Sequence, residues 1–584
     1  MDNLKYSEIL QLNRAMFKDM HGRPYHVKVL SNITVNSIKE LLEYTLHVNK
    51  INPIVKLGNY DNIVQDSANC NDDDLVIVFY NLQNVIDGIS SYFEGVNDEL
   101  YISIKEKICN EIDIVFENLK SLPAVIFNMF SAVEFVNSYF HQSKIELLVS
   151  DLNRYLNLIK PLHVHLINTE KIISQVGVNH AMDLRLNYSS KAPYTLTFLK
   201  KYLGAIEPII LRNTGKLKKA IIFDCDNTLW KGILGEDGVD KIDMSGTSHD
   251  GKIYNYIQQI AVFLSKRGVL IGLCSKNNEH DVSDVLMNHP DMVLTNNFIA
   301  IKKVNWNDKA ANLRLISSEL NIGLDSIIFV DDSSFEINLI KEQLPEIITL
   351  QVPTAIYEYP NKLLQIVYKY FNLYGNQADE NKTEMYKQQF VRESFKDKFV
   401  SIEDYLSSLS ISLTIHKDKL SFVPRIAQLT QKTNQFNLTT KRYTENQIIQ
   451  FVQSEDDFVF SISVEDKFGD SGLTGLCIIR KNLQNSKDVT IDTFLMSCRI
   501  IGRNIEFAFI DSIFDWLIDQ HFETVTAEFL QTKKNDQVKN FYEELGFYVE
   551  NNNTESKRYT IQLKDYERKK VEYIEVVIKM NEQN

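Results

Sequence analysis

The apolar run Ala220-Ile221-Ile222-Phe223 passes without a break into Asp224-Cys225-Asp226-Asn227-Thr228-Leu229-Trp230. A strand that is apolar on both faces belongs inside a parallel sheet. Ligands of open parallel sheets bind beyond the carboxyl ends of the strands, which is where two carboxylates appear here. The same construction recurs downstream. Residues 269–274 lead into Ser275-Lys276-Asn277, and residues 326–330 lead into Asp331-Asp332 with Glu336 four positions on. Residues 292–295 read as a further strand of this layer. An EF-hand is excluded, because Leu229 stands where that loop needs glycine and an apolar strand precedes the motif.

At 584 residues the chain is about four times the ~150-residue length of one domain, so three or four domains are expected. Upstream, residues 27–30, 75–80, 124–127 and 163–167 read as buried strands, with helical spacing over 35–47 and 144–159. Beyond residue 350 the pattern weakens, and 375–381 is polar enough for a linker end. A charged amphipathic stretch over 383–398 then reads as a connecting helix. Strand-like segments at 411–416, 458–464, 474–479 and 489–494 precede helical patterns at 506–520 and 535–545, an α+β order. The only low-complexity patch, 551–553, is expected at a hairpin or loop tip. The expected fold class is therefore multidomain α/β, with an α/β domain over 1–210, a second over 211–375, a connecting helix over 376–398 and an α+β domain over 399–584.

A net charge of −14 supplies no electrostatic reason to bind nucleic acid. No run of eighteen apolar residues occurs, so no membrane helix is expected. The six cysteines lack CxxC or zinc spacing, which together with the polar start fits a reducing cytoplasm.

The polar residues at the strand ends fit phosphoryl transfer through aspartate. Asp224 is assigned as nucleophile, and Asp226, two residues on, as general acid/base. Ser275, Lys276 and Lys309 are assigned to the phosphoryl oxygens. Asp332 and Asp331, with Asp224 and Asp226, are assigned to Mg²⁺, which prefers an all-oxygen shell. In order and strand context these residues match the four motifs of the haloacid-dehalogenase (HAD) superfamily, which the chain resembles. The intervals after Gly232 and after Ser275 leave room for a hairpin flap but no cap domain. The site must therefore take a bulky substrate or be closed by a neighbouring domain.

Three polar clusters mark the last region: 428–440, 466–472 and Ser497-Cys498-Arg499-Ile500-Ile501-Gly502-Arg503-Asn504. The last lies between a strand and a helix, where backbone N–H groups can cradle an anion. Downstream, residues 535–547 resemble the closing helix and strand of GNAT acyltransferases. Together with 304–309 and 224–230, these clusters resemble the FkbH-like family of HAD proteins (subfamily IIIC), over roughly residues 200–565. The resemblance implies a fused HAD and GNAT-like unit. Such a unit takes a glyceryl group from 1,3-bisphosphoglycerate, a phosphorylated small acid, removes phosphate, and loads the acyl group onto an acyl carrier protein. It also implies Cys498 as the thioester-forming residue, and Arg499, Gly502, Arg503 and Asn535 against the carrier's phosphopantetheine arm. One departure is that Asn504 stands where the family has glycine.

The first 210 residues are distantly similar to SGNH hydrolases, with Ser31 at the nucleophile position and Asn128 on the oxyanion side. Asp183-Leu184-Arg185-Leu186 has leucine where the DxxH motif needs its base, so this domain is expected to bind rather than catalyse. Three functional readings follow: acyl loading, simple phosphatase action, and a scaffold in a biosynthetic assembly.

Overall fold

A computed structural model describes Met1 and residues 4–18, 23–135, 141–373, 401–482, 484–532, 534–552 and 556–579, with Met385, Gln388, Arg392, Phe395 and Phe399 between. Most of the expected connecting helix and Asn553 lie outside the described residues; Asn551 and Asn552 end a strand. The protein is a multidomain α/β chain with two parallel sheets and one mixed sheet. It divides into two compact units. One comprises Met1–Thr214 with Tyr443–Gln447, and the other Gly215–Arg442 with Ile448–Asn584. Among the described residues no helix is long and apolar enough to cross a membrane.

The first unit holds a five-stranded parallel sheet: β1 (Tyr25–Ser31), β2 (Pro53–Leu57), β3 (Leu75–Phe79), β4 (Val125–Asn128) and β5 (Val164–Ile167). Their order is β2-β1-β3-β4-β5. All five residues of β3 are buried, which is why it reads as an unbroken apolar run. Helices cover both faces; the one over Lys144–Ile159 buries Ile145, Leu148, Val149, Leu152 and Leu156 at helical spacing. Ser143 caps it by accepting from the Glu146 amide while Glu146 accepts from the Ser143 amide.

In the second unit, β6 (Ala220–Phe223), β7 (Leu270–Ser275), β8 (Ile299–Val304), β9 (Ile327–Asp331) and β10 (Ile348–Gln351) form a parallel sheet ordered β10-β9-β6-β7-β8. The strand expected at 292–295 is not one. The edge strand is β8, where Lys302 and Lys303 interrupt the apolar pattern; Lys303 reaches Glu319 at 2.5 Å. Charged residues belong on such an edge because they discourage pairing with another chain. Central β6 is wholly buried between β9 and β7. Each of its large side chains contributes about 1.5–3 kcal/mol by leaving water.

The mixed sheet comprises β11 (Ile411–Lys417), β12 (Phe436–Asn437), β13 (Asp457–Asp466), β14 (Gly469–Asn482), β15 (Asn485–Met496), β16 (Thr524–Leu530), β17 (Tyr548–Asn552), β18 (Ser556–Gln562) and β19 (Ile574–Lys579). The order is β17-β18-β16-β15-β14-β13-β11-β19, with β12 paired to β15. The helix Ile505–Asp519 packs its apolar residues into this sheet's core.

Candidate active site

Chain order and sheet order together bring the sequence-distant polar residues to one place. Asp224 directly follows β6, and its amide donates to the Val330 carbonyl of β9 at 2.9 Å. Asp331 closes β9, and Ser275 closes β7, where its carbonyl accepts from the Asn305 amide. Lys309 opens the helix Lys309–Glu319, which Asp308 caps by accepting from the Ala311 amide.

Lys309 Nζ lies 2.7 Å from Asp331 Oδ2 and 3.1 Å from Asp224 Oδ1. All three side chains are almost fully enclosed. Burial opposes the charge on Lys309, but the two carboxylates outweigh it and raise the ammonium above its ordinary range. Burial, then proximity to Asp224, pushes both Asp331 and Asp332 up. Asp224, Asp331 and Asp332 each offer a ligand oxygen, and these atoms lie within 4.8 Å of one another. Apart from the Lys309 ammonium, buried Asp224 Oδ1 has no hydrogen-bond partner among the described residues. One lysine cannot balance three carboxylates, and a hard dication suits an all-oxygen donor set.

Asp226 stands apart from that cluster, which corrects its assignment as a side-chain metal ligand. Its Oδ1 accepts from Trp230 Nε1 at 2.9 Å and the Leu234 amide at 3.0 Å, and its Oδ2 accepts from Asn277 Nδ2 at 3.0 Å. The turn between them is made by Asn227 in the left-handed region, φ 50°, with its Oδ1 accepting from the Gly232 amide. Burial is the main cause raising the Asp226 carboxyl, with Asp224 adding to it. Trp230 and Asn277 therefore fix the direction of the Asp226 carboxyl. Both stood in quoted motifs, yet an indole that holds a carboxyl four residues back gives no signal in sequence.

Lys276 also departs from expectation. Its ammonium pairs with Glu336 Oε1 at 2.7 Å, so it is turned from the carboxylate cluster towards the helix Ser334–Gln343. Ser275 is buried at the floor of the site. The flap is short: Lys231 and Asp243 exchange backbone hydrogen bonds at 2.9 Å, and no cap domain intervenes before the helix at Gly251.

Two side chains expected at the carrier cradle are held by the protein's own groups. Arg503 donates to Asp466 Oδ2 at 3.0 Å and to the Arg499 carbonyl at 2.7 Å; Arg392 shares the same carboxylate. Asn535 is fully buried. It donates to the Asn437 and Leu530 carbonyls, each at 2.9 Å, and accepts from the Thr532 amide. Both are thus committed internally rather than presented to a ligand. Arg499 is buried against Ser497 and Met385. Gly502, φ 81°, has open space where a Cβ would stand. Asn504 adopts φ 60°, a region asparagine tolerates, and its amide donates to Tyr573 Oη at 2.8 Å.

Parallel pairing of β15 with β16 covers only Asp488–Ile491 against Thr524–Ala527. Beyond it, β12 fills the gap. Phe436 and Asn437 pair with Met496 and Leu495, the Leu438 amide donates to the Phe494 carbonyl, and the Leu530 amide donates to the Leu438 carbonyl. The 428–440 cluster therefore completes the sheet.

Cys498 is a half-buried free thiol. Its carbonyl accepts from Asn321 Nδ2 at 3.1 Å, just beyond the carboxyl end of the Lys309–Glu319 helix. That eleven-residue helix spans about 16 Å, so Lys309 and the Cys498 turn lie at its opposite ends. The Lys534–Asp325 ion pair joins the two sheets at the same end, since Asp325 lies just before β9.

In the first unit, Ser31 Oγ accepts from the Ile33 amide and donates to the Ile33 carbonyl, a closed local turn. Asn128 Oδ1 accepts from Tyr202. Asp183 caps the helix Leu184–Ser190 by accepting from the Leu186 amide, and among the described residues no histidine pairs with its carboxylate.

A parallel α/β sheet with a carboxylate cluster and a lysine at its strand ends defines the class of the central region. The comparisons with known proteins agree with that fold. The chain is similar to the N-terminal part of a Bacteroides fragilis protein containing a phosphatase domain, crystallised with Mg, at 23% identity and TM-score 0.54. The match covers 63% of this chain and 99% of that one. It is also matched by the Escherichia coli ribosomal-protein-S18-alanine N-acetyltransferase, at 15% identity and TM-score 0.21 over 26% of this chain and 94% of that one. The Vibrio cholerae spermidine/spermine N-acetyltransferase with manganese matches at 16% and 0.21, over 27% and 95%. No protein-family model and no curated protein matches the chain.

Proposed function

We propose that the protein is a Mg²⁺-dependent phosphoryl-transfer enzyme of the HAD type, acting as a phosphatase on a phosphorylated acid. The observation that carries this reading is the convergence of Asp224, Asp331 and Asp332 within 4.8 Å beside Lys309. The donor set fits Mg²⁺, the ion held by the Bacteroides fragilis phosphatase domain. When bound, Mg²⁺ offsets the negative charge that gathers on the phosphoryl oxygens.

Asp224 attacks phosphorus, and the bond to the leaving oxygen breaks as Asp226 delivers its proton to that oxygen. Trp230, Asn277 and the Leu234 amide hold Asp226 for this transfer. Asp226 then takes a proton from the water that cleaves the Asp224–phosphoryl bond and releases phosphate. Lys309 supports the phosphoryl charge from the sheet side.

Acyl loading is retained in one form. The hairpin at Lys231–Asp243 leaves the Asp224 site uncapped, so the pantetheine thiol of an acyl carrier protein would enter from solvent, give up its proton and attack the carbonyl carbon of an acyl phosphate held there. The carbon–oxygen bond breaks and phosphate leaves, in place of attack by Asp224 on phosphorus. Passage through Cys498 lacks support, because that turn lies at the other end of the Lys309–Glu319 helix. Intact-mass analysis with an acyl phosphate such as 1,3-bisphosphoglycerate and a carrier protein tests this. Cys498→Ser is expected to leave any carrier loading unchanged; loss of loading in that variant would restore the cysteine route. The intact carboxylate cluster weighs against a scaffold.

A further inference from the structure

The mixed sheet ends on β19, which lies parallel to β11 with Val577 opposite Thr414. Among the described residues no strand pairs with the outer edge of β19. An unpaired edge is normally blunted by shortness, a bulge, proline or charged side chains; here the only charges are one acidic and one basic, Glu575 and Lys579. Here it is a regular six-residue strand, Ile574-Glu575-Val576-Val577-Ile578-Lys579, without a bulge against β11. Its three central aliphatic side chains are exposed: Val576 by 38%, Val577 by 37% and Ile578 by 47%. Because side chains alternate, these residues place apolar surface on both faces of the edge.

The sequence of the strand is self-complementary. Antiparallel pairing with a second β19 about a two-fold axis through Val577 sets Glu575 opposite Lys579 twice, Val576 opposite Ile578 twice, and Val577 opposite itself. Shifting the axis to Val576 puts Glu575 opposite Val577 and Lys579 opposite Tyr573, and shifting it to Ile578 puts Lys579 opposite Val577, so both charge pairs are lost. Neither Glu575 nor Lys579 has an ion-pair partner among the described residues. Cross-strand pairs of opposite charge and of β-branched residues stabilise antiparallel edges, whereas like charges placed opposite one another destabilise them.

We propose that the edge of β19 is the contact between two copies of this chain, which pair antiparallel across Val577 and continue the mixed sheet through a two-fold axis. A contact of this kind uses the same patch on both copies and closes at a dimer. The opposite edge, β17, also exposes Tyr548 and Val549. Pairing of β17 with β19 would be head to tail and open-ended, and would leave Glu575 and Lys579 without their mutual partners.

Sedimentation velocity of the full chain over a range of concentrations tests the proposal. The wild type is expected to show a reversible monomer–dimer equilibrium. Glu575→Lys and Lys579→Glu should each raise the dimer Kd by about tenfold or more, since each change sets like charges opposite one another twice. The double variant E575K/K579E should restore the dimer, which a merely structural role for either residue would not produce. Val577→Lys should give monomer. Unchanged circular dichroism and unchanged phosphate release at the Asp224 site establish that these variants are folded. A wild type that stays monomeric throughout, a dimer indifferent to the single reversals, or a double variant that does not recover overturns the proposal. So does open-ended growth that Val549→Lys abolishes.

Discussion

Asp226 shows how a carboxyl acquires a role from its surroundings. Burial and neighbouring Asp224 raise it, while three donors fix its direction. A general acid whose carboxyl is raised keeps its proton to higher pH. The basic limb of the pH–rate profile is thus expected above the ordinary carboxylate range. Asp226→Asn should lower kcat by about 10²–10⁴-fold, and least for substrates whose leaving groups need no proton. A full rate with poor leaving groups would show that another group moves the proton. The site carboxylates were legible in sequence because strands of a parallel sheet deliver their carboxyl ends to one edge. Lys276, Arg503 and Asn535 were not, because a polar side chain's direction depends on partners distant in the chain. Glu336, Asp466 and the carbonyls of Asn437 and Leu530 claim them.

At the scale of elements, the buried strands β1, β3, β6 and β9 were readable as apolar runs, since both faces are covered by helices. Edge strand β8 was not, because Lys302 and Lys303 mask it and point outward to Asn296 and Glu319. Two-residue β12 carries no periodicity at all; it exists because β15 and β16 part and leave unpaired backbone groups to satisfy. Asn535 pins it. Asn535→Ala leaves two buried carbonyls without that donor and should cost about 1–3 kcal/mol of stability, read by urea unfolding. Phosphate release should hold its KM, because the residue braces a sheet. A raised KM for a carrier with stability unchanged would return Asn535 to carrier binding.

Across the whole molecule, Asp224 and the Cys498 turn occupy opposite ends of one helix, so phosphate release at Asp224 is expected not to depend on the thiol. The first unit should respond separately to acid. Burial, aided by Arg212, Lys160 and His163, pulls His165 down to about 4. Between its unfolded value near ~6.5 and about 4, the unfolded chain binds a proton that the folded chain does not. Stability is therefore lost as pH falls through that window. Acid unfolding followed by the tyrosine signal should show an earlier loss in the wild type than in His165→Phe, and identical profiles would remove His165 from the account. The central claim is that Asp224 carries the phosphoryl group. The direct measurement is intact-mass and peptide analysis of enzyme quenched during turnover of a phosphorylated acid. The account predicts one phosphoryl group on Asp224, formed with Mg²⁺, absent after chelation and absent in Asp224→Asn, whose phosphate release falls by orders of magnitude. An unmodified Asp224 during turnover, with normal phosphate release from Asp224→Asn, would contradict it.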